Sequence, residues 1–88
     1  MVRHLQGRRI LITGSSGGIG RCLAEKVACR GARVALAARS ADTLHALASQ
    51  LAARGTDAVA IPADITVAPD RDRMIETVMQ HFGGLDIL

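Results

Sequence analysis

Eight consecutive residues hold the plainest chemistry in this chain: Thr13-Gly14-Ser15-Ser16-Gly17-Gly18-Ile19-Gly20. Gly14 lets the backbone turn sharply. Gly18 leaves space for a phosphate group to approach the main chain, and Gly20 lets a following helix pack closely on its neighbour. Where such a turn opens a helix, the free N–H groups and the helix dipole favour an anion. Ser15 and Ser16 add hydroxyl donors. An ordinary glycine-rich connection between a strand and a helix would read the same way in isolation, so the flanking elements decide between the two.

Two further pairs of residues stand out. Arg39 and Ser40 follow the apolar run Arg33-Val-Ala-Leu-Ala-Ala, with no acid before Asp42. A guanidinium at such a point makes forked, charge-assisted contacts to phosphate. Its plain alternative is an exposed surface Arg. Asp64 and Ile65 follow Pro62. By itself Asp64 reads as a turn residue or as a neighbour of the next helix start.

Other reactive side chains form no constellation. Cys22 and Cys29 are seven apart. On one helix they would share a face, about 10 Å apart along the axis. That is too far for a disulfide, so they read as small buried hydrophobes. No pair has metal-ligand spacing, His4, His45 and His81 are scattered, and no metal is expected.

The elements that must position these residues alternate. Arg9 to Thr13 is expected to be a buried strand. A helix is expected from Ile19, with Ile19, Leu23 and Val27 inward and Gly31 as its stop. Arg33 to Ala38 reads as a second strand. Ser40 can cap the next helix, which buries Leu44, Leu47, Ala48 and Leu51 before Gly55. Ala58 to Ile61 is a third strand, closed by Pro62. A third helix is expected from about Pro69 to His81, with Met74, Ile75, Val78, Met79 and Phe82 inward. Leu85 to Leu88 begins a fourth strand. Strands joined by helices pair in parallel. The expected class is α/β, a doubly wound parallel sheet with helices on both faces.

Length and charge narrow the function. The chain has 88 residues, enough for one small domain, and 49% of them are apolar. Phe82 is its only aromatic residue. The net charge is +3, so a basic nucleic-acid-binding module must be weighed. The arginines are spread, apart from Arg3, Arg8 and Arg9, and one Phe supplies no stacking platform, so nucleic acid is not expected as a partner. The run Ile10-Leu11-Ile12 is too short for a signal-peptide core or a membrane span. A cytoplasmic location without membrane attachment is expected. Leu88 lies in an apolar run with no turn after it, so the chain reads as part of a longer protein.

The glycine spacing, T-G-x-x-x-G-I-G, resembles the fingerprint of the short-chain dehydrogenase/reductase family. Arg33 to Ser40 looks like that family's second strand and loop. Asp64-Ile65-Thr66 looks like its adenine-holding pair after the third strand, and Phe82-Gly-Gly-Leu-Asp-Ile-Leu88 like its run into the fourth. The resemblance covers the whole chain but only the front of the family's domain. It implies that residues 1–88 are the N-terminal part of one NAD(P)-binding Rossmann domain, truncated within the fourth strand.

The resemblance also implies an oxidoreductase moving hydride between a nicotinamide and a small carbonyl or alcohol substrate, with a homo-oligomeric full-length form. The implied cofactor-binding residues are Gly14, Ser15, Ser16, Gly18, Ile19, Gly20, Arg39, Ser40, Asp64 and Ile65. With Arg39 where an NAD site would place an acid, NADP is expected over NAD, although Gly17 stands where many NADP-using members carry a basic residue. The family's acid–base group is a Tyr with a Lys four residues later, which favours the phenolate. This chain has no Tyr. No residue is expected to be catalytic, and the 88 residues alone are expected to be inactive. A noncatalytic dinucleotide-binding stub is the alternative.

Overall fold

A computed structural model describes residues 6–14 and 18–86. The elements are β1 (Arg9–Thr13), α1 (Gly18–Cys29), β2 (Arg33–Ala38), α2 (Ala41–Ala53), β3 (Ala58–Pro62) and α3 (Ala68–Phe82). The described strands form one parallel sheet in the order β1-β2-β3. Thr13 aligns with Ala37, and Ala38 with Pro62, so the carboxyl ends of all three strands lie together.

β2 is central, and every residue after Arg33 in it is buried. A strand covered on both faces needs apolar side chains without alternation, which Val-Ala-Leu-Ala-Ala supplies. The alternation appears instead in which core each residue enters. Ile10, Ile12, Val34, Leu36 and Ala38 pack with Ala24 and Ala28 of α1 and with Leu44, Leu47 and Leu51 of α2. Leu11, Ala35, Ala37 and Ile61 pack on the other face with Met74, Val78 and Phe82 of α3. The α/β architecture with helices on both faces is therefore as the sequence indicates.

Three local expectations are corrected. On α1 the buried residues are Ala24 and Ala28, with Val27 partly covered. Ile19 is 87% exposed and Leu23 48%, and both cysteines are exposed rather than buried. The helix is turned by about one residue, 100°, from the face its larger side chains suggest. Alanines against the sheet let the helix axis approach closely. On α3, Met74, Val78 and Phe82 form the buried stripe, while Ile75 and Met79 are exposed. Ser40 occupies the N-cap position of α2, but its hydroxyl makes no cap hydrogen bond.

Of the expected fourth strand, Ile87 and Leu88 lie outside the described residues. Its first residues are placed. α3 ends at Gly83, whose φ of 78° is the left-handed cap conformation. Asp86 then meets Arg9 on the edge of β1 away from β2. The Asp86 N–H donates to the Arg9 carbonyl at 2.9 Å. The Asp86 carboxylate accepts from the Arg9 backbone N–H at 2.9 Å, from Nε at 2.9 Å and from Nη2 at 3.2 Å. Residue 84 lies close under the Arg9 guanidinium, which would have to shift to admit a side chain there.

This clasp makes a pH prediction. Hydrogen bonds from the Arg9 side chain and backbone hold the Asp86 carboxyl well below the usual carboxylate range. A lowered carboxyl pKa stabilises the fold above about pH 4, and that contribution is lost as acid protonates the group. Asp86→Asn is therefore expected to lower the thermal midpoint at neutral pH. The gap to the parent protein should narrow steadily as pH falls below about 4, without vanishing by about pH 2, because the folded carboxyl still holds its charge there. A gap independent of pH would show that the charge of Asp86 contributes nothing.

Candidate functional site

The loops that leave the carboxyl ends of the strands enclose a cleft of about 370 Å³. It is lined by Gly14, Ala38, Arg39, Ser40, Ala63, Asp64, Ile65 and Thr66. Open parallel sheets place their ligands at this end, because loops from adjacent strands diverge there. Five of the residues singled out from sequence thus come together: Gly14, Arg39, Ser40, Asp64 and Ile65.

The glycine turn forms the β1 side of the cleft. Gly14 has φ 65°, a conformation that favours glycine. Ser15 and Ser16 lie outside the described residues. Gly18, Ile19 and Gly20 form the first turn of α1. Gly18 also has positive φ, 57°, and faces open space where a side chain would project. The first turn of α1 carries no acidic residue, so nothing there offsets the positive end of the helix dipole. Ile19, within this turn, is 87% exposed, the most exposed large apolar residue among the described residues.

The middle of the cleft is cationic. Arg39 is exposed and makes no hydrogen bond or ion pair among the described residues. Ser40 keeps its hydroxyl free of capping. Both groups are thus available to a ligand.

The β3 side is held from below. Asp64 Oδ1 accepts the Thr66 backbone N–H at 3.0 Å and the Thr66 hydroxyl at 2.6 Å. Those bonds keep the Asp64 carboxyl below its ordinary range, and the charge of Arg39 adds to the effect. The backbone of this loop is gripped by α3. The Asp64 N–H donates to Asp70 Oδ2 at 2.8 Å, Arg71 Nη1 donates to the Ile65 carbonyl at 2.7 Å, and Arg73 Nη2 donates to the Pro62 carbonyl at 2.7 Å. Ile65 presents an apolar side chain, 45% exposed.

Thr66 and Asp70 were not singled out from the sequence as site residues. The signal for Thr66 was there in Asp-x-Thr, the spacing at which a carboxylate bonds to the residue two further on. Asp70 becomes part of the site only because α3 folds back under the loop. Among the described residues no three His, Cys, Asp or Glu side chains are grouped to hold a metal. Nor is any described helix long and apolar enough to cross a membrane.

Comparison with known proteins agrees with this geometry. The short chain dehydrogenase family matches residues 8–88. A hydroxynaphthalene reductase-like protein of Metarhizium acridum is 42% identical over 87 residues, which are 98% of this chain and 33% of that protein. The structure of L-sorbose reductase from Gluconobacter frateurii, complexed with NADPH and L-sorbose, is 36% identical with a TM-score of 0.93. The match covers 99% of this chain and 34% of that one. The 3-ketoacyl-(acyl-carrier-protein) reductase of Brucella melitensis, complexed with NADH, is 32% identical with a TM-score of 0.87, the match covering 94% of this chain and 34% of that one. The chain therefore spans about a third of the length of the proteins it matches. With the glycine turn, the order of the parallel strands and a match over residues 8–88 all in agreement, the chain belongs to the short-chain dehydrogenase family.

Proposed function

We propose that residues 1–88 are the front part of a single dinucleotide-binding domain in an NADP-dependent oxidoreductase acting on a small carbonyl or alcohol compound. The observation that carries this reading is Arg39. It stands exposed in the cleft beside Gly14 and Asp64, without an ion pair among the described residues and with no acid from Ala37 to Ser40. A dinucleotide carrying a 2′-phosphate would give that guanidinium a forked partner. The solved relatives named above include one complex with NADPH and one with NADH. They support a nicotinamide dinucleotide, and Arg39 is what favours the phosphorylated form.

The proposed roles are these. The first turn of α1 with Gly14, Gly18, Ile19 and Gly20 would hold the pyrophosphate through N–H groups and the helix dipole, and Ser15 and Ser16 of the same motif would add hydroxyl donors. Arg39 and Ser40 would hold the 2′-phosphate. Asp64 would accept from the adenine amino group, and Ile65 would lie against the ring. The bound cofactor supplies or accepts hydride. The chain has no Tyr, so the proton-transferring group would come from outside residues 1–88.

The test is binding and turnover together. The product of the complete reading frame is expected to bind NADP more tightly than NAD. The purified 88-residue chain is expected to show no NADPH oxidation above background with carbonyl substrates. Turnover by that chain, free of any longer enzyme, would overturn the assignment of roles. A complete reading frame without Tyr-x-x-x-Lys would favour the noncatalytic dinucleotide-binding stub.

A further inference from the structure

The two oxygens of Asp64 are in different situations. Oδ1 is occupied twice by Thr66, through the N–H at 3.0 Å and the hydroxyl at 2.6 Å. Among the described residues Oδ2 accepts no hydrogen bond. The backbone around the carboxylate is pinned as well, by Asp70 at the Asp64 N–H and by Arg71 at the Ile65 carbonyl. Both grips come from the first turn of α3, so they hold the loop against a packed helix. The carboxylate cannot turn about its Cβ–Cγ bond without breaking both bonds to Thr66. It is an ionised acceptor with one oxygen left to offer, and that oxygen has a fixed direction.

We propose that Thr66 is a positioning and specificity residue: by locking Asp64 it makes the cleft select a purine with a 6-amino group over one with a 6-oxo group. The inference rests on reading the cleft as a dinucleotide site. Adenine has a donor at position 6 and an acceptor at the neighbouring N1. Hypoxanthine has the reverse, an oxygen at position 6 and an N–H at N1. A carboxylate free to rotate could follow the donor from one position to the other and accept either base. A locked carboxylate meets the 6-oxo group with like partial charge and leaves its own oxygen unpaired, which costs more than a hydrogen bond contributes. Ile65, beside it in the cleft, would keep the ring from sliding to a new register.

The experiment compares NADP with its hypoxanthine analogue. Dissociation constants are measured by calorimetry on the product of the complete reading frame and on Thr66→Val, Thr66→Ala and Thr66→Ser. Thr66 is exposed, so these changes leave the core untouched. The parent is expected to prefer the adenine form by about tenfold or more. Thr66→Val and Thr66→Ala should bring that ratio to within about threefold, and Thr66→Ser should restore it. The NADP to NAD ratio should stay unchanged in all three variants. Equal weakening of both bases, with the ratio kept, would overturn the role of Thr66 and leave the dinucleotide reading intact. A parent that binds neither NADP nor NAD would overturn the dinucleotide reading, and this inference with it.

Discussion

Arg39→Asp is expected to reverse the cofactor preference, shifting the NADP to NAD affinity ratio by about 100-fold or more. Two effects act in the same direction. The substitution removes a charge-assisted, forked contact, which contributes about 1.5–3 kcal/mol. It also places a carboxylate against a phosphate, a repulsion of the order of 1–4 kcal/mol for unit charges at contact distance near a protein surface. NAD has no 2′-phosphate, so it loses neither term, and the new carboxylate can accept its ribose hydroxyls. Arg39→Lys separates the contributions. It keeps the charge but loses the fork, so its ratio should fall between those of parent and Arg39→Asp. Titration of both cofactors into all three proteins gives the answer. An unchanged ratio in Arg39→Asp would mean that Arg39 does not face the ribose.

The second large effect is on stability. Leu47 is 1% exposed, in the core that α1 and α2 form with the sheet. Leu47→Ala is expected to cost about 3–5 kcal/mol, from lost burial and from the cavity left behind. In the complete domain, about three times this length, each kcal/mol moves the thermal midpoint by roughly 2–4 °C, so a drop of about 6 °C or more should be seen. The opposite change tests the close approach of α1. Ala24 is fully buried against β1 and β2, and Ala24→Leu must force the helix outward at about 1–3 kcal/mol. If Ala24→Leu were neutral while Leu47→Ala was costly, α1 would not lie as tightly on the sheet as described. Thermal melts followed by far-ultraviolet circular dichroism suffice for both.

Ala24 also shows where the sequence was hard to read. The strands were legible because Ile10-Leu11-Ile12 and Val34 to Ala38 are short, apolar and bounded by turn residues. The helices were legible as helices from their periodicity. Which face of α1 turns inward was not, because periodicity weights Ile19 and Leu23 above alanine. Close packing on a parallel sheet reverses that ranking, since the smallest side chains allow the shortest distance. α2 shows the contrasting case: Leu44, Leu47 and Leu51 are both the largest and the buried residues.

The site divided along the same line. Gly14, Arg39 and Asp64 each follow a strand, and parallel pairing alone brings strand ends together. Asp70 and Arg71 sit on a helix facing the opposite side of the sheet from α1 and α2. Their grip on the loop depends on how α3 docks, which no local pattern encodes. The three α3 side chains that reach back, Asp70, Arg71 and Arg73, are charged residues that sequence alone assigns to a solvated surface.

The interior, with Phe82 as its one aromatic side chain among the described residues, has an optical consequence. The chain has no Trp and no Tyr, and Phe82 is buried at 6% exposure beneath the Arg33 guanidinium, 4.8 Å from its ring centre. The polypeptide therefore neither absorbs usefully nor emits in the near ultraviolet. Any such emission from a complex between these residues and a reduced nicotinamide would come from the ligand alone, with no protein fluorescence to subtract and no aromatic donor to feed it. The chain is a dark background on which a bound dinucleotide can be counted directly.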